Sequence, residues 1–117
     1  MEQFLKLREG FFKDETIREI ESLPDGETIV YIYIRLMVLA ADSNGILSYQ
    51  RYENYYRKLS HEIKIADDKI KQAIDVLKDY GLVKESEDIA YCATLIRFPY
   101  VADNKGIETN LFRRKGK

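Results

Sequence analysis

The segment ETIVYIYIRLMVLAADSNG, residues 27–45, constrains the fold more than any other part of the chain. Its apolar run, Ile29 to Ala41, is 13 residues long and holds one charge, Arg35. The first half, IVYIYI, is β-branched and aromatic and favours strand. The second half, RLMVLAA, favours helix. The run is too long for an ordinary strand, and a membrane span needs about 20 residues. Length therefore decides for one buried helix from about Glu27 to Ala41, ended by Asp42-Ser43-Asn44-Gly45. Apolar on most of its sides, it is expected to be the central helix of a domain.

The other segments arrange themselves around it. FLKLREGFF near the start reads as a short strand or an extended arm. In KDETIREIESLPDG, Asp14 caps a short helix whose inner face is Ile17, Ile20 and Leu23, and Pro24-Asp25-Gly26 ends it. GILSY is a short strand. YQRYENYYRKLSHEI is a helix with Tyr49, Tyr52, Tyr56 and Leu59 at helical spacing. In ADDKIKQAIDVLKDYG, Asp67 or Asp68 is the expected cap. Ile70, Ala73, Ile74 and Leu77 are its core stripe, and Gly81 is its stop. LVKE and IAYCATL flank SED as a β-hairpin. The order is helix, helix, short strand, helix, helix, strand, strand. It predicts a mainly α fold with a small β-sheet, a winged helix-turn-helix. The domain is placed at residues 1–98, and 99–117 form a basic C-terminal tail or linker.

Charge narrows the partners. The chain has 19 basic and 20 acidic residues, so net charge alone favours no polyanion. Arg113, Arg114, Lys115 and Lys117 set the distribution: without them residues 1–112 hold 15 bases against 20 acids, a net −5. A mildly acidic body thus carries a basic tail. Cys92 is the single cysteine, which suits a reducing compartment. The charged opening MEQFLKLREGFF is no signal peptide. A cytoplasmic protein with no membrane segment is expected.

Leu5-Lys6-Leu7 stands before Phe11-Phe12, Ile17 before Ile20-Glu21, and Pro24, Gly26 and Thr28 before the long apolar helix, which Gly45-Ile46-Leu47 follows. In this order and spacing the motifs resemble the N-terminal domain of phage replisome organiser proteins. AIDVLKDYGLV is similar to that family's helix-to-wing joint, and GIETNLFRRKGK to its ending. Residues 49–66 depart from the pattern, with tyrosines and bases where the family has an acidic helix. The resemblance implies a DnaD-like winged helix, binding to replication-origin DNA, recruitment of the replicative helicase, and self-association.

The candidate DNA-binding residues fall in four places. On the Asp67–Tyr80 helix, Lys71, Gln72 and Lys78 face outward with Lys69 on the flank. Donors and amides of this kind read base edges and phosphates. Asp75 on the same face opposes phosphate, and a solvated face with Lys71–Asp75 and Asp75–Lys78 pairs is the competing account. In the tyrosine-rich helix, Arg51, Arg57 and Lys58 interleave with rings that stack on bases. Tyr55 is the surface candidate there, since Tyr52, Tyr56 and Leu59 share the presumed core face. Lys84 stands in a wing whose Glu85, Glu87 and Asp88 argue against minor-groove insertion. The tail bases Arg113, Arg114, Lys115 and Lys117 bind phosphate without reading sequence.

No metal, cofactor or enzymatic activity is expected. His61 and Cys92 are single, no glycine-rich phosphate loop occurs, and the carboxylates fall at caps and exposed faces. Cys92 is expected in the core as a small residue. The alternative to DNA binding is a protein-interaction module that docks on a replication or host-defence protein, using the FLKL and GFF segments.

Overall fold

The computed structural model describes Leu7 and residues 9–102. A single 3-10 turn, Phe11–Lys13, leads into α1, Glu15–Glu21. Asp14 caps α1 as expected, accepting from Thr16 N at 3.0 Å and Ile17 N at 3.3 Å through one oxygen, Oδ2. These bonds satisfy two of the N–H groups that a helix start leaves open.

The ambiguous apolar run is helix. It forms α2, Gly26–Ala41, packed against both α1 and the helix of the 67–79 region. Ile29, Val30, Ile32, Tyr33, Leu36, Met37 and Ala40 are buried, which makes α2 the centre of the core. One stripe stays in water. Tyr31 and Val38 are exposed, and Arg35 covers the gap, its Nη1 donating to Tyr31 Oη at 2.7 Å.

Glycine is required at the start of α2 by a close approach. A Cβ on Gly26 would lie 2.1 Å from the carbonyl oxygen of Ile20 and 2.6 Å from that of Glu21. The end of α1 therefore rests on the backbone of α2.

A left-handed turn through Asn44 (φ 59°) and Gly45 (φ 84°) leads into β1, Ile46–Gln50. Two helices follow, α3 (Tyr55–Ile63) and α4 (Asp67–Asp79), then β2 (Lys84–Asp88), β3 (Ala93–Arg97) and the short α5 (Pro99–Ala102). The three strands form one antiparallel sheet in the order β1-β3-β2, with Leu47 opposite Ile96 and Lys84 opposite Arg97. The chain thus runs helix, helix, strand, helix, helix, strand, strand, as read from the sequence. The described fold continues past Phe98, because Val101 of α5 is buried in the core.

Helix α4 buries Ile70, Ala73, Ile74 and Leu77, the expected stripe. Its stop is also as expected. Gly81 has φ 76°, its N–H donates to Lys78 O at 3.0 Å, and Leu82 N donates to Leu77 O at 2.9 Å. This pair of bonds is the Schellman closure of a helix end. Its start differs. The cap position is Ala66, which has no side-chain cap bond, and Asp67 and Asp68 lie in the first turn. There they favour the helix dipole without capping.

Several local expectations are corrected. Helix α1 ends at Glu21, before Leu23, and Gly26 is the first residue of α2 rather than the end of α1. Residues 49–53 are not helical: β1 claims residues up to Gln50, and α3 starts only at Tyr55, after the cap Asn54, whose side chain accepts from Arg57 N. The helical phase shifts accordingly. Tyr55, Leu59 and Ile63 form the buried face, while Tyr52 precedes the helix and is 86% exposed. Tyr55, the expected surface ring, is 8% exposed. The hairpin turn is Ile89–Cys92 and not Ser86–Asp88, whose residues are paired in β2. Asp88 Oδ1 accepts from Tyr91 N, and Cys92 takes φ 50° and is exposed rather than part of the core.

Candidate nucleic-acid interface

On α4, Lys69, Lys71, Gln72, Asp75, Lys78 and Asp79 are all exposed, as the periodicity predicts. The ion pairs are not those expected within the helix. Neither Lys71–Asp75 nor Asp75–Lys78 closes. Lys78 Nζ instead reaches across to β2 and binds Glu85 Oε1 at 2.9 Å, and Lys69 binds Asp25 at 3.4 Å. Arg51 and Lys58 are engaged in the same way, by Glu87 at 3.3 Å and Glu53 at 2.9 Å. The acids of the wing thus neutralise Lys78 and Arg51, two of the bases chosen for phosphate contact.

Glu85 Oε1 also accepts from Tyr55 Oη at 2.9 Å, and that hydroxyl lies 3.2 Å from Tyr56 Oη. The Tyr55 ring stacks on Tyr49 with centroids 5.8 Å apart. Lys78, Glu85 and the three tyrosines therefore tie α4, β2, α3 and β1 together. Tyr55 is a structural ring here, its phenol pushed up by burial and then by its hydrogen bonds to Tyr56 and Glu85.

The Lys78 hydrogen bond holds the Glu85 carboxyl below its ordinary value of 4.5, and Glu85 in turn raises Lys78. A carboxylate depressed in the folded state gives stability that is present above its unfolded pKa and lost as pH falls through its folded pKa. A raised lysine gives stability lost only as pH rises through its folded pKa. Between those limits the pair is complete. Glu85→Gln is therefore expected to narrow the difference between urea midpoints at neutral and strongly acidic pH. An unchanged difference would show that Glu85 carries none of the acid sensitivity.

Three candidate bases make no ion pair among the described residues: Arg57, Lys71 and Lys84, all exposed. Gln72 is exposed beside Lys71. Lys71 borders an open basin of about 540 Å3 whose other lining includes Asn54, Tyr56, Glu53, Asp67 and Asp68. That basin carries three carboxylates, Glu53, Asp67 and Asp68, against the single base Lys71 among its described lining residues, which disfavours a phosphate there. The tail bases Arg113, Arg114, Lys115 and Lys117 lie outside the described residues.

The sheet brings together a further surface that periodicity did not reveal. Gln50, Ala93 and Asp88 are register neighbours, and Arg51 N donates to Cys92 O at 2.9 Å. The turn after β1 therefore abuts the wing tip. Tyr52, Ile89 and Tyr91 are 86%, 80% and 77% exposed there. The wing tip is apolar and aromatic; the acids expected at it lie back along β2. The visible signal was IAY, three apolar residues at a turn.

A helix-turn-helix whose second helix passes through a glycine stop into a hairpin, the hairpin sharing a sheet with β1, defines a winged-helix-like domain. No helix among the described residues is long and apolar enough to cross a membrane. The sequence model of the N-terminal phage replisome organiser family matches residues 4–113. The chain belongs to that family and is a replication-related phage protein. No curated protein and no solved structure gives a significant match.

Proposed function

We propose that this domain binds duplex DNA at a replication origin, with α4 as its reading helix, and that it acts by binding rather than catalysis in the host cytoplasm. The observation that carries the proposal is the outer face of α4. In a member of the replisome organiser family, the second helix of the helix-turn-helix keeps Lys71 and Gln72 exposed and, among the described residues, outside any ion pair. Gln72 has the amide that suits adenine, and Lys71 suits guanine or phosphate. Arg57 and Lys84 add phosphate contacts from α3 and the wing, and the terminal bases add contacts independent of sequence. With Lys69, Lys78, Arg51 and Lys58 paired to acids, the surface discriminates weakly by charge, and affinity depends on the few unpaired bases.

Fluorescence anisotropy with an origin-derived duplex tests this. Lys71→Glu is expected to weaken binding at least about tenfold, a cost of about 1.4 kcal/mol. Glu85→Gln, which releases Lys78, should strengthen it. No measurable binding of the intact chain at low salt would overturn the proposal.

The exposed Tyr52, Ile89 and Tyr91 favour a second role, self-association or docking on a replication or host-defence protein through the wing tip. Exposed apolar side chains gathered at one turn suit such a surface.

A further inference from the structure

A cavity of about 300 Å3 lies where the turn before α1 meets α2 and α5. Its size is at the lower end of small-ligand sites, about 300–1,000 Å3. Tyr33 of α2 lines it, is 1% exposed, and has a hydroxyl with no hydrogen-bond partner among the described residues. Such a group is destabilising when left unsatisfied. It is a place where an added polar atom is strongly rewarded.

The groups around that hydroxyl select the ligand's chemistry. Among the described residues, two carboxylates line the cavity, Glu9 and Asp14, and no base does. Neither is in an ion pair among the described residues. Asp14 uses Oδ2 for both cap bonds, and its Oδ1 accepts no hydrogen bond among the described residues. Burial pushes the Tyr33 phenol up, and Tyr100 and the Asp14 carboxylate push it further, which places both close enough to be felt. The remaining described walls are apolar or aromatic apart from Gly10. Phe11 stacks on Tyr33 with centroids 6.3 Å apart and meets Tyr100 edge-on at 5.6 Å. Ile17 and Leu82 complete the lining. Gly10, at φ 87°, makes the turn that sets Glu9 beside this cavity, a conformation a side chain rarely adopts.

An acidic, aromatic-walled cavity with a buried acceptor matches a cation on an aliphatic stem. The stem covers apolar walls, and the charged head meets carboxylate and ring face. We propose that this cavity receives a lysine or arginine side chain of a partner protein, its ammonium or guanidinium donating to Asp14, Glu9 and the Tyr33 hydroxyl. The site uses no residue of the α4 face, so it is separable from DNA binding.

An amide-resolved NMR titration of the intact chain tests it, with end-blocked Gly-Arg-Gly, Gly-Lys-Gly and Gly-Glu-Gly as probes and spermidine as a separate arm. The basic peptides should shift Phe11, Ile17 and Leu82 saturably, and the acidic peptide should not. Glu9→Gln and Asp14→Asn, the latter retaining a capping side chain, should each weaken binding several-fold, and together by about tenfold or more. Tyr33→Phe should weaken binding while leaving the melting temperature unchanged or higher, because it removes an unsatisfied hydroxyl. Absence of saturable shifts, shifts confined to other surfaces, or binding indifferent to Glu9→Gln would overturn the proposal. Spermidine binding at the same amides as tightly as the peptides would assign the site to free polyamines and overturn its protein partner.

Discussion

Gly26→Ala is expected to destabilise the domain by about 3 kcal/mol, the upper end of what overpacking costs. The added methyl would meet the Ile20 and Glu21 carbonyl oxygens at 2.1 and 2.6 Å. These are backbone atoms at the end of a hydrogen-bonded helix, so no side chain can turn aside. Relief requires α1 to move off α2, opening the layer that holds Ile17, Ile20 and Ile29. For a domain of about this size such a loss corresponds to a fall in Tm on the order of 10 °C or more. Urea unfolding followed by circular dichroism measures it. A loss below about 1 kcal/mol would mean that α1 docks far more loosely than the close approach implies.

The second large effect concerns DNA. Replacing Arg113, Arg114, Lys115 and Lys117 together by glutamine should reduce the slope of log Kd against log salt by about 3.6, at about 0.9 for each phosphate neutralised on duplex DNA. The body of the chain is net acidic, so these four charges should dominate affinity at low salt. Lys71→Glu should instead alter preference among duplexes while lowering the slope far less. If removing the tail charges leaves the slope unchanged, the terminal bases make no phosphate contact, and binding rests on α4, Arg57 and Lys84 alone.

The parts of the fold legible in the sequence share one property: their cause lies within a few residues. Asp14 caps α1 through N–H groups two and three residues on. Gly81 ends α4 through bonds that reach back three and five residues. The α4 stripe repeats at helical spacing, and the length of the 29–41 run decided its state. The misplaced features fail by phase. Counting helical periodicity from Tyr49 put Tyr52 inside and Tyr55 outside, yet β1 extends to Gln50, and the helix takes its phase from Asn54. In the wing, Ser86-Glu87-Asp88 has turn-like composition but fills the ladder opposite Leu95, Thr94 and Ala93. Pairing with a partner strand overrode local propensity.

The candidate interface was legible as an inventory of bases and not as an electrostatic surface. Lys71, Gln72 and Lys78 do face outward, but the sequence could not say that Lys78 meets Glu85 or that Arg51 meets Glu87, 36 residues on. The sequence by itself determined the order of elements, the central helix and the family, because periodicity, capping residues and motif spacing are encoded along the chain. Only the tertiary structure decided which charges pair among the described residues, that the wing tip is apolar, and that Tyr33 ends in an acidic cavity without a described partner. Each of those depends on residues distant in sequence being packed side by side, and an ion pair or a cavity exists only once both of its walls are in place.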